Sequence, residues 1–385
     1  MIKNKIFLIF LVFIASLSTV YALYISNTYG SMDYQYSPTK LFLDKINPYE
    51  YFLYEDHSRF IGVQYPVYSH ATYIFYIIFA VFDWEISRFI WSITNIILAI
   101  LCVIIISRYA KLKTHEIIVI GCIFFISTPL RNCIGNGQIS LVVLMSYFSL
   151  FIKSNYKRNF FLGFSYMKYS FMPSLAFFIF LKDGFVALLI SGIFCIFGWI
   201  IFSLYLDQNL LHTIFQPLEV GLNGFDRGLA RGDFFTILNK FDYYLFDESS
   251  VYRTIFIVIF ITVVLVYPVT KKKDILLNLN LLFIINLLTF GHLIYDFLVL
   301  LPTFIYSFKN YNFVKGKISM IIVLYFWIGL RVYEKIKLFI LDIEIITPQY
   351  YDNIINLILL IILYIINLDI KSHIFLKNNI LEKKD

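Results

Sequence analysis

An isolated acid just beyond a long apolar run is the first residue of this sequence with the makings of a catalyst. Asp33 lies in Tyr29-Gly30-Ser31-Met32-Asp33-Tyr34-Gln35-Tyr36. A carboxylate held at the mouth of a helix bundle can act as a general base, taking a proton from an attacking hydroxyl, and partial burial lifts its pKa into a useful range. The bland alternative is a solvated loop acid capping the next helix. Gln138, in Gly135-Asn136-Gly137-Gln138, follows glycines that permit close backbone approach and can reach a substrate hydroxyl; a tight turn is the competing reading. Lys168 stands alone among apolar residues in Tyr166-Met167-Lys168-Tyr169, as either a functional cation or a snorkelling side chain.

Arg227 and Arg231 are one helical turn apart in Phe225-Asp226-Arg227-Gly228-Leu229-Ala230-Arg231-Gly232-Asp233. Such a pair can clasp a phosphate with paired N–H donors, or simply bond to Asp226 and Asp233. Gly291-His292, followed by Tyr295-Asp296, offers an imidazole to hydrogen-bond a phosphate or orient Asp33; a lone histidine there is otherwise structural. His57 and His70 complete the ionisable set of this kind. Asn47-Pro48-Tyr49-Glu50 and Gln64-Tyr65-Pro66-Val67-Tyr68 punctuate their stretch with rigid X-Pro turns. No metal-ligand spacing, Gly-rich nucleotide loop or GxSxG is present.

The elements that must position these residues are membrane helices. The 385 residues are 60% hydrophobic and only 15% charged, against roughly 25% charge in a soluble fold. The apolar residues run in blocks of about 15–22, long enough to cross a bilayer core of roughly 30 Å. Inside lipid such blocks must be helical. We read spans at about 5–25, 88–107, 116–130, 138–152, 158–168, 170–181, 184–206, 252–270, 275–290, 292–308, 317–333 and 351–369. The fold class is an all-α polytopic bundle, a single integral membrane domain over 1–385, with external loops at 26–87 and 207–251 and a tail at 370–385. The first block after Lys3 and Lys5 lacks a clear signal-peptide cleavage site and is read as a span. The four cysteines make no CxxC or Cys/His spacing and read as apolar fillers.

Loops dense in Lys and Arg stay cytoplasmic. Placing the basic loops and both termini inside puts 19 of the 32 Lys and Arg there with only 6 of the 25 acids. The net charge of +7 therefore reflects orientation in a cell membrane rather than nucleic-acid binding. The scheme works only if Tyr65–Phe82, with its Tyr65, Pro66, Tyr68, His70, Tyr73 and Tyr76, lies at the external interface instead of spanning. It also requires Phe160–Leu181 to be two short helices meeting near Lys168. Asp33, His57, His70, Gln138, Lys168, Arg227, Arg231 and His292 then fall on or just beneath one external face.

This ordered set resembles the GT-C glycosyltransferases, and most closely glycosyltransferase family 87, which includes polyprenol-phosphate-mannose-dependent mannosyltransferases. The likeness rests on Asp33 and Tyr36 after the first helix, Pro48-Tyr49, Tyr65-Pro66, Gly137-Gln138, Gly163 to Lys168 with Pro173, and His292 with Pro302. Two family patterns depart here: Tyr65-Pro66-Val67 replaces the frequent Tyr-Pro-Pro, and Asp44-Lys45-Ile46-Asn47-Pro48-Tyr49 replaces Gly-x-Asp-Pro-Tyr. The resemblance implies an inverting hexose transfer from a polyprenyl-phosphate sugar to a glycan or glycolipid at the external face. Asp33 would be the base, and His292, Lys168 or Arg227 with Arg231 would hold the donor phosphate. Gln138, Tyr36 and Tyr65 would contact substrate, and no metal or further cofactor is expected. Two other functions fit a multi-span chain. An O-antigen-type polymerase or ligase would centre on Arg227 and Arg231, and a lipid-linked glycan transporter would be expected to carry inverted repeats, which are not seen.

Overall fold

The computed structural model of the chain describes residues 2–224, 232–238, 250–341 and 349–369. Among them every regular element is helical. Six helices are long and apolar enough to cross a membrane: Lys5–Thr28, Trp84–Tyr109, Phe185–Tyr205, Arg253–Thr270, Val314–Tyr333 and Asp352–Asp369. The pair Thr114–Ile126 and Thr128–Asn136, bent by 60° between them, has the apolar length of either a broken span or a re-entrant loop. The protein is thus an all-α polytopic membrane protein. The remaining apolar segments are shorter or broken helices, such as Ser140–Phe151 and Ile275–Thr289.

The first helix, α1 (Ile2–Thr28), packs against the bent pair α6 (Thr114–Ile126) and α7 (Thr128–Asn136) and against α5 (Trp84–Tyr109). Its other side leaves Phe7, Phe10, Phe13, Leu17 and Val20 exposed, as a lipid-facing helix requires. The 26–87 stretch folds into three short helices, α2 (Tyr36–Leu43), α3 (Pro48–Tyr54) and α4 (His70–Ala80). Asn47 starts α3 by capping the N–H groups of Tyr49 and Glu50, with Pro48 at the first helical position. The expected interfacial segment becomes helical only at His70; Tyr65-Pro66 belongs to the turn before it. It is packed, too, on α2, α5 and α11 (Phe185–Tyr205).

Between α7 and α11 come α8 (Ser140–Tyr147), α9 (Asn155–Leu162) and α10 (Met172–Asp183). Tight 3-10 turns over Gly163–Met167 and Tyr169–Phe171 flank an extended Lys168, so the helix breaks at the lone cation. After α11, α12 (Leu210–Gly224) folds back onto α3. Then follow α13 (Ser250–Thr270) and α14 (Ile275–Thr289), a 3-10 segment Ile294–Leu300, and α15 (Leu301–Lys309). The chain ends with α16 (Val314–Leu324), a π turn at Tyr325–Gly329, α17 (Leu330–Leu341) and α18 (Gln349–Asp369).

The core sits around α14, buried on every side, as expected of a helix apolar all round. Asn280 and Asn286 bond to neighbouring helices. Asn280 donates to Asn367 at 2.9 Å and accepts from Thr303 at 2.6 Å, while Asn286 donates to the Tyr147 hydroxyl at 2.9 Å. Such interhelical bonds tie bundles together where burial gives helices no mutual attraction.

Candidate active site

Asp33 is fixed by main chain. After α1 ends, the Gly30 N–H bonds back to Ile25 O at 2.8 Å, Ser31 N–H donates to Gly135 O at 2.7 Å, and Asp33 N–H donates to Asn136 O at 3.0 Å. The loop is thus laced to the C-terminus of α7. Two glycines permit the approach. A Cβ on Gly30 would stand 2.2 Å from Gly135 O, and one on Gly137 would stand 2.7 Å from Tyr34 Cβ. Gly137 also has φ +71, the left-handed conformation that ends a helix. Tyr34 stacks on Trp91, their ring centroids 5.8 Å apart, and shares a 2.7 Å hydrogen bond with Ser87. Gln64 braces the loop from the side, donating to Ser31 O at 3.0 Å and accepting from Ser37 Oγ at 2.8 Å.

The Gly137 turn sends Gln138 inward, fully buried, where its Oε1 accepts from the Tyr68 hydroxyl at 2.6 Å. Its amide Nε2 makes no hydrogen bond within 3.5 Å but acts on the Asp33 carboxylate. Beyond Gln138 lies a buried ion pair, Lys168 Nζ with Asp296 Oδ1. Ser140 Oγ completes the triangle, donating to Asp296 at 2.7 Å and accepting from Lys168 at 3.1 Å. Asp296 Oδ2 accepts from the Leu293 N–H at 3.2 Å, and Lys168 Nζ sits 5.0 Å from the Tyr295 ring centroid.

Asp33 feels this neighbourhood. Burial drives its carboxyl pKa up to about 6, opposed by the Gln138 amide and the Lys168 charge and reinforced by Asp296. Because Asp33 is only partly buried, it combines an apolar-shifted proton affinity with access from outside. That is what a general base for a hydroxyl needs.

Several sequence-derived candidates are placed elsewhere or in supporting roles. Lys168 does not snorkel: it is 8% exposed and ion-paired. The glycines before Gln138 make both the tight turn and the delivery of its side chain. Tyr36 turns its hydroxyl to Phe82 O at 3.1 Å, and its ring packs on Trp84. Tyr65 packs on Phe52 and His57 in an aromatic cluster of the first loop, and His57 itself bonds Phe52 O at 2.6 Å. His70 is buried against Tyr49 and Phe202. His292 is buried before the Ile294–Leu300 segment, its Nδ1 3.3 Å from Phe290 O and its ring edge-on to Phe297. Arg227 and Arg231 lie outside the described residues. Among the described residues no group of three His, Cys, Asp or Glu is arranged to hold a metal.

Three participants were not singled out from sequence: Asp296, Ser140 and Tyr68. The available signal for Asp296 was charge matching. It is an acid in an apolar stretch, Ile294-Tyr295-Asp296-Phe297-Leu298, and a buried acid requires a buried cation such as Lys168.

No curated protein and no solved structure matches the chain. The family model for glycosyltransferase family 87 matches residues 67–266, a stretch that contains Tyr68, Gln138, Ser140 and Lys168 and lies between Asp33 and Asp296. The match spans more than half of the 385 residues. A membrane bundle that gathers a shielded carboxylate, an amide and a buried ion pair at one place is thus joined to a family assignment: the chain belongs to glycosyltransferase family 87.

Proposed function

We propose that this membrane glycosyltransferase moves a mannose-like hexose from a polyprenyl-phosphate sugar to a hydroxyl of a glycan or glycolipid, at the external face of the cell membrane and with inversion. The observation that carries the reading is Asp33, a partly accessible carboxyl with its pKa raised to about 6 beside Gln138 and the Lys168–Asp296 pair. In the reaction the acceptor oxygen forms a bond to the sugar's anomeric carbon as the bond from that carbon to the phosphate oxygen breaks. The acceptor proton passes to Asp33, and the polyprenyl phosphate leaves with the bonding electron pair. At neutral pH the carboxyl is ionised yet more basic than an ordinary carboxylate, which favours proton uptake in the transition state.

The leaving phosphate gains charge as the bond breaks, and preorganised donors lower that barrier. His292, Lys168 and the Arg227–Arg231 pair are the proposed donors. Lys168 already faces Asp296, so in this role it would bridge the phosphate to a fixed internal anion. A donor that carries its own lipid phosphate needs no nucleotide-binding domain, and no cofactor enters the proposal.

The test is sugar transfer from a polyprenyl-phosphate mannose by purified, folded protein. Asp33→Asn is expected to lower the rate on the order of 10²–10⁴-fold. Full activity in that variant rejects Asp33 as the base. Loss of activity with Arg227→Ala while Asp33→Asn remains active points instead to polymerase-type chemistry.

A further inference from the structure

A second polar constellation lies where α12 folds back onto α3. Asn47 Nδ2 donates to Gln208 Oε1 at 2.7 Å, and Gln208 Nε2 donates to Glu50 Oε1 at 2.9 Å. Gln216 Nε2 reaches the same Glu50 oxygen and Gln208 Oε1, each at 3.2 Å, and His212 Nδ1 at 3.3 Å. On the exposed side of the cluster, the Glu50 and His212 side chains are 38% and 48% exposed. Beneath them Gln216 and His70 are completely buried, yet Gln216 Oε1 and both His70 ring nitrogens have no partner within 3.5 Å. The two side chains lie near enough for the Gln216 amide to act on the imidazole, while burial holds the His70 pKa down to about 3. His70 is therefore neutral, with one donor and one acceptor nitrogen to offer.

Gln216 Oε1 and the imidazole meet only at long range and the second ring nitrogen has no partner. Buried polar atoms so poorly paired are costly and call for a polar occupant. The seat is also connected to Asp33 through named contacts. His70 packs on Tyr49, with ring centroids 4.7 Å apart, and the Tyr49 hydroxyl donates to Tyr68 O at 2.6 Å. The Tyr68 hydroxyl in turn bonds Gln138 beside Asp33. The seat's chemistry is amides, a carboxylate and a neutral imidazole beside aromatic rings, which matches the paired hydroxyls and apolar ring faces of a sugar. The Glu50 carboxylate opposes a phosphate.

We propose that Glu50, Gln208, Gln216 and His70 form a binding subsite for an uncharged saccharide unit of the acceptor, set back from the hydroxyl that reacts at Asp33. Naming the ligand as acceptor rests on the glycosyl-transfer reading; the seat's preference for neutral sugar does not. It fixes the acceptor class as a glycan chain of more than one sugar, held by side chains from both external loops.

The experiment measures binding of mannotriose, maltotriose and cellotriose to full-length protein in detergent, with inorganic phosphate as the charged comparator. At least one trisaccharide should bind saturably. Its Kd should rise about tenfold or more in Glu50→Gln and in Gln208→Ala, as expected for loss of a hydrogen bond to a charged or buried group. Glu50→Gln keeps the side-chain shape, and its melting temperature checks that the fold is intact. The proposal is overturned if no trisaccharide binds to folded wild-type protein, if the two seat variants bind like wild type, or if phosphate displaces the sugar. Trisaccharide binding as expected, together with full transfer activity in Asp33→Asn, overturns the catalytic reading and leaves the subsite standing.

Discussion

The residues that matter most here are polar groups whose behaviour is set by burial. Asp33 has its pKa lifted to about 6 chiefly by removal from water. The base must be ionised, so transfer should decline as pH falls through about 6, giving an acid limb about two pH units above that of an ordinary aspartate. A rate–pH profile checks this, and an acid limb near 4 would show Asp33 to be an unperturbed bystander. Lys168 and Asp296 are a different case. Removing one partner leaves the other charge buried and uncompensated, a loss of about 3–5 kcal/mol. Lys168→Met should therefore destabilise the protein markedly, and Lys168→Met with Asp296→Leu together should recover much of the loss. Thermal unfolding of the single and double variants decides it, and equal melting temperatures would mean that the pair bears no such charge dependence. Asp33, Gln138 and Lys168 were legible in the sequence because each is a lone polar residue beside apolar runs. Asp296 was not, since its partner is 128 residues away and sequence distance gives no hint of it. Tyr36 and Tyr65 stood out by motif, but motif says nothing of where a hydroxyl turns.

At the scale of elements, the site is made by helices that stop. α7 ends at Gly137, the chain breaks at Lys168, and the Ile294–Leu300 segment is a 3-10 turn before α15. Each interruption lets a polar side chain leave a helix surface and converge with others. The long helices could be read from apolar length alone, as the agreement between the expected 184–206 and the observed Phe185–Tyr205 indicates. The interruption at Lys168 was readable from its charge. The 60° bend between α6 and α7 falls at Ser127-Thr128-Pro129, where Ser127 caps α7 and Pro129 stands in its first turn, a helix-start signal that reading 116–130 as one span passed over. Gly137→Ala tests how finely these stops are set. A methyl there meets Tyr34 Cβ at 2.7 Å in a left-handed backbone position, so the Asp33 loop must shift. Displacement of a catalytic group by about 1 Å can lower a rate about 100-fold, so transfer should fall steeply while the protein still folds. Unchanged activity in Gly137→Ala would mean that the loop's position is not critical.

For the whole molecule, orientation is the property on which the functional reading depends. The proposed orientation keeps the basic loops 108–113, 153–158 and 271–273 in the cytoplasm, with the Asp33 end of the bundle outside. A cysteine introduced at Tyr54, which is 77% exposed in the first loop, should react with a membrane-impermeant thiol reagent added to intact cells. Labelling only after the membrane is opened would invert the topology and move the chemistry to the cytoplasm. The native cysteines described here are all buried, which keeps the background low. The architecture also explains why the family match can fall between Asp33 and Asp296. Asp33 and Asp296 lie on either side of the matched stretch, and the intervening bundle brings them to one place.

The lacing of the Asp33 loop to α7 has one more consequence. Ser31 and Asp33 are held by their own peptide N–H groups on the carbonyls of Gly135 and Asn136, and every amino acid except proline supplies such a group. The side chains of residues 29 and 32 are therefore at liberty to drift over evolutionary time without dislodging the carboxylate. Gly30 and Gly137 are not, because there any side chain at all is the obstacle. In related sequences the persistent mark of this loop should be a pattern of missing side chains around a single aspartate.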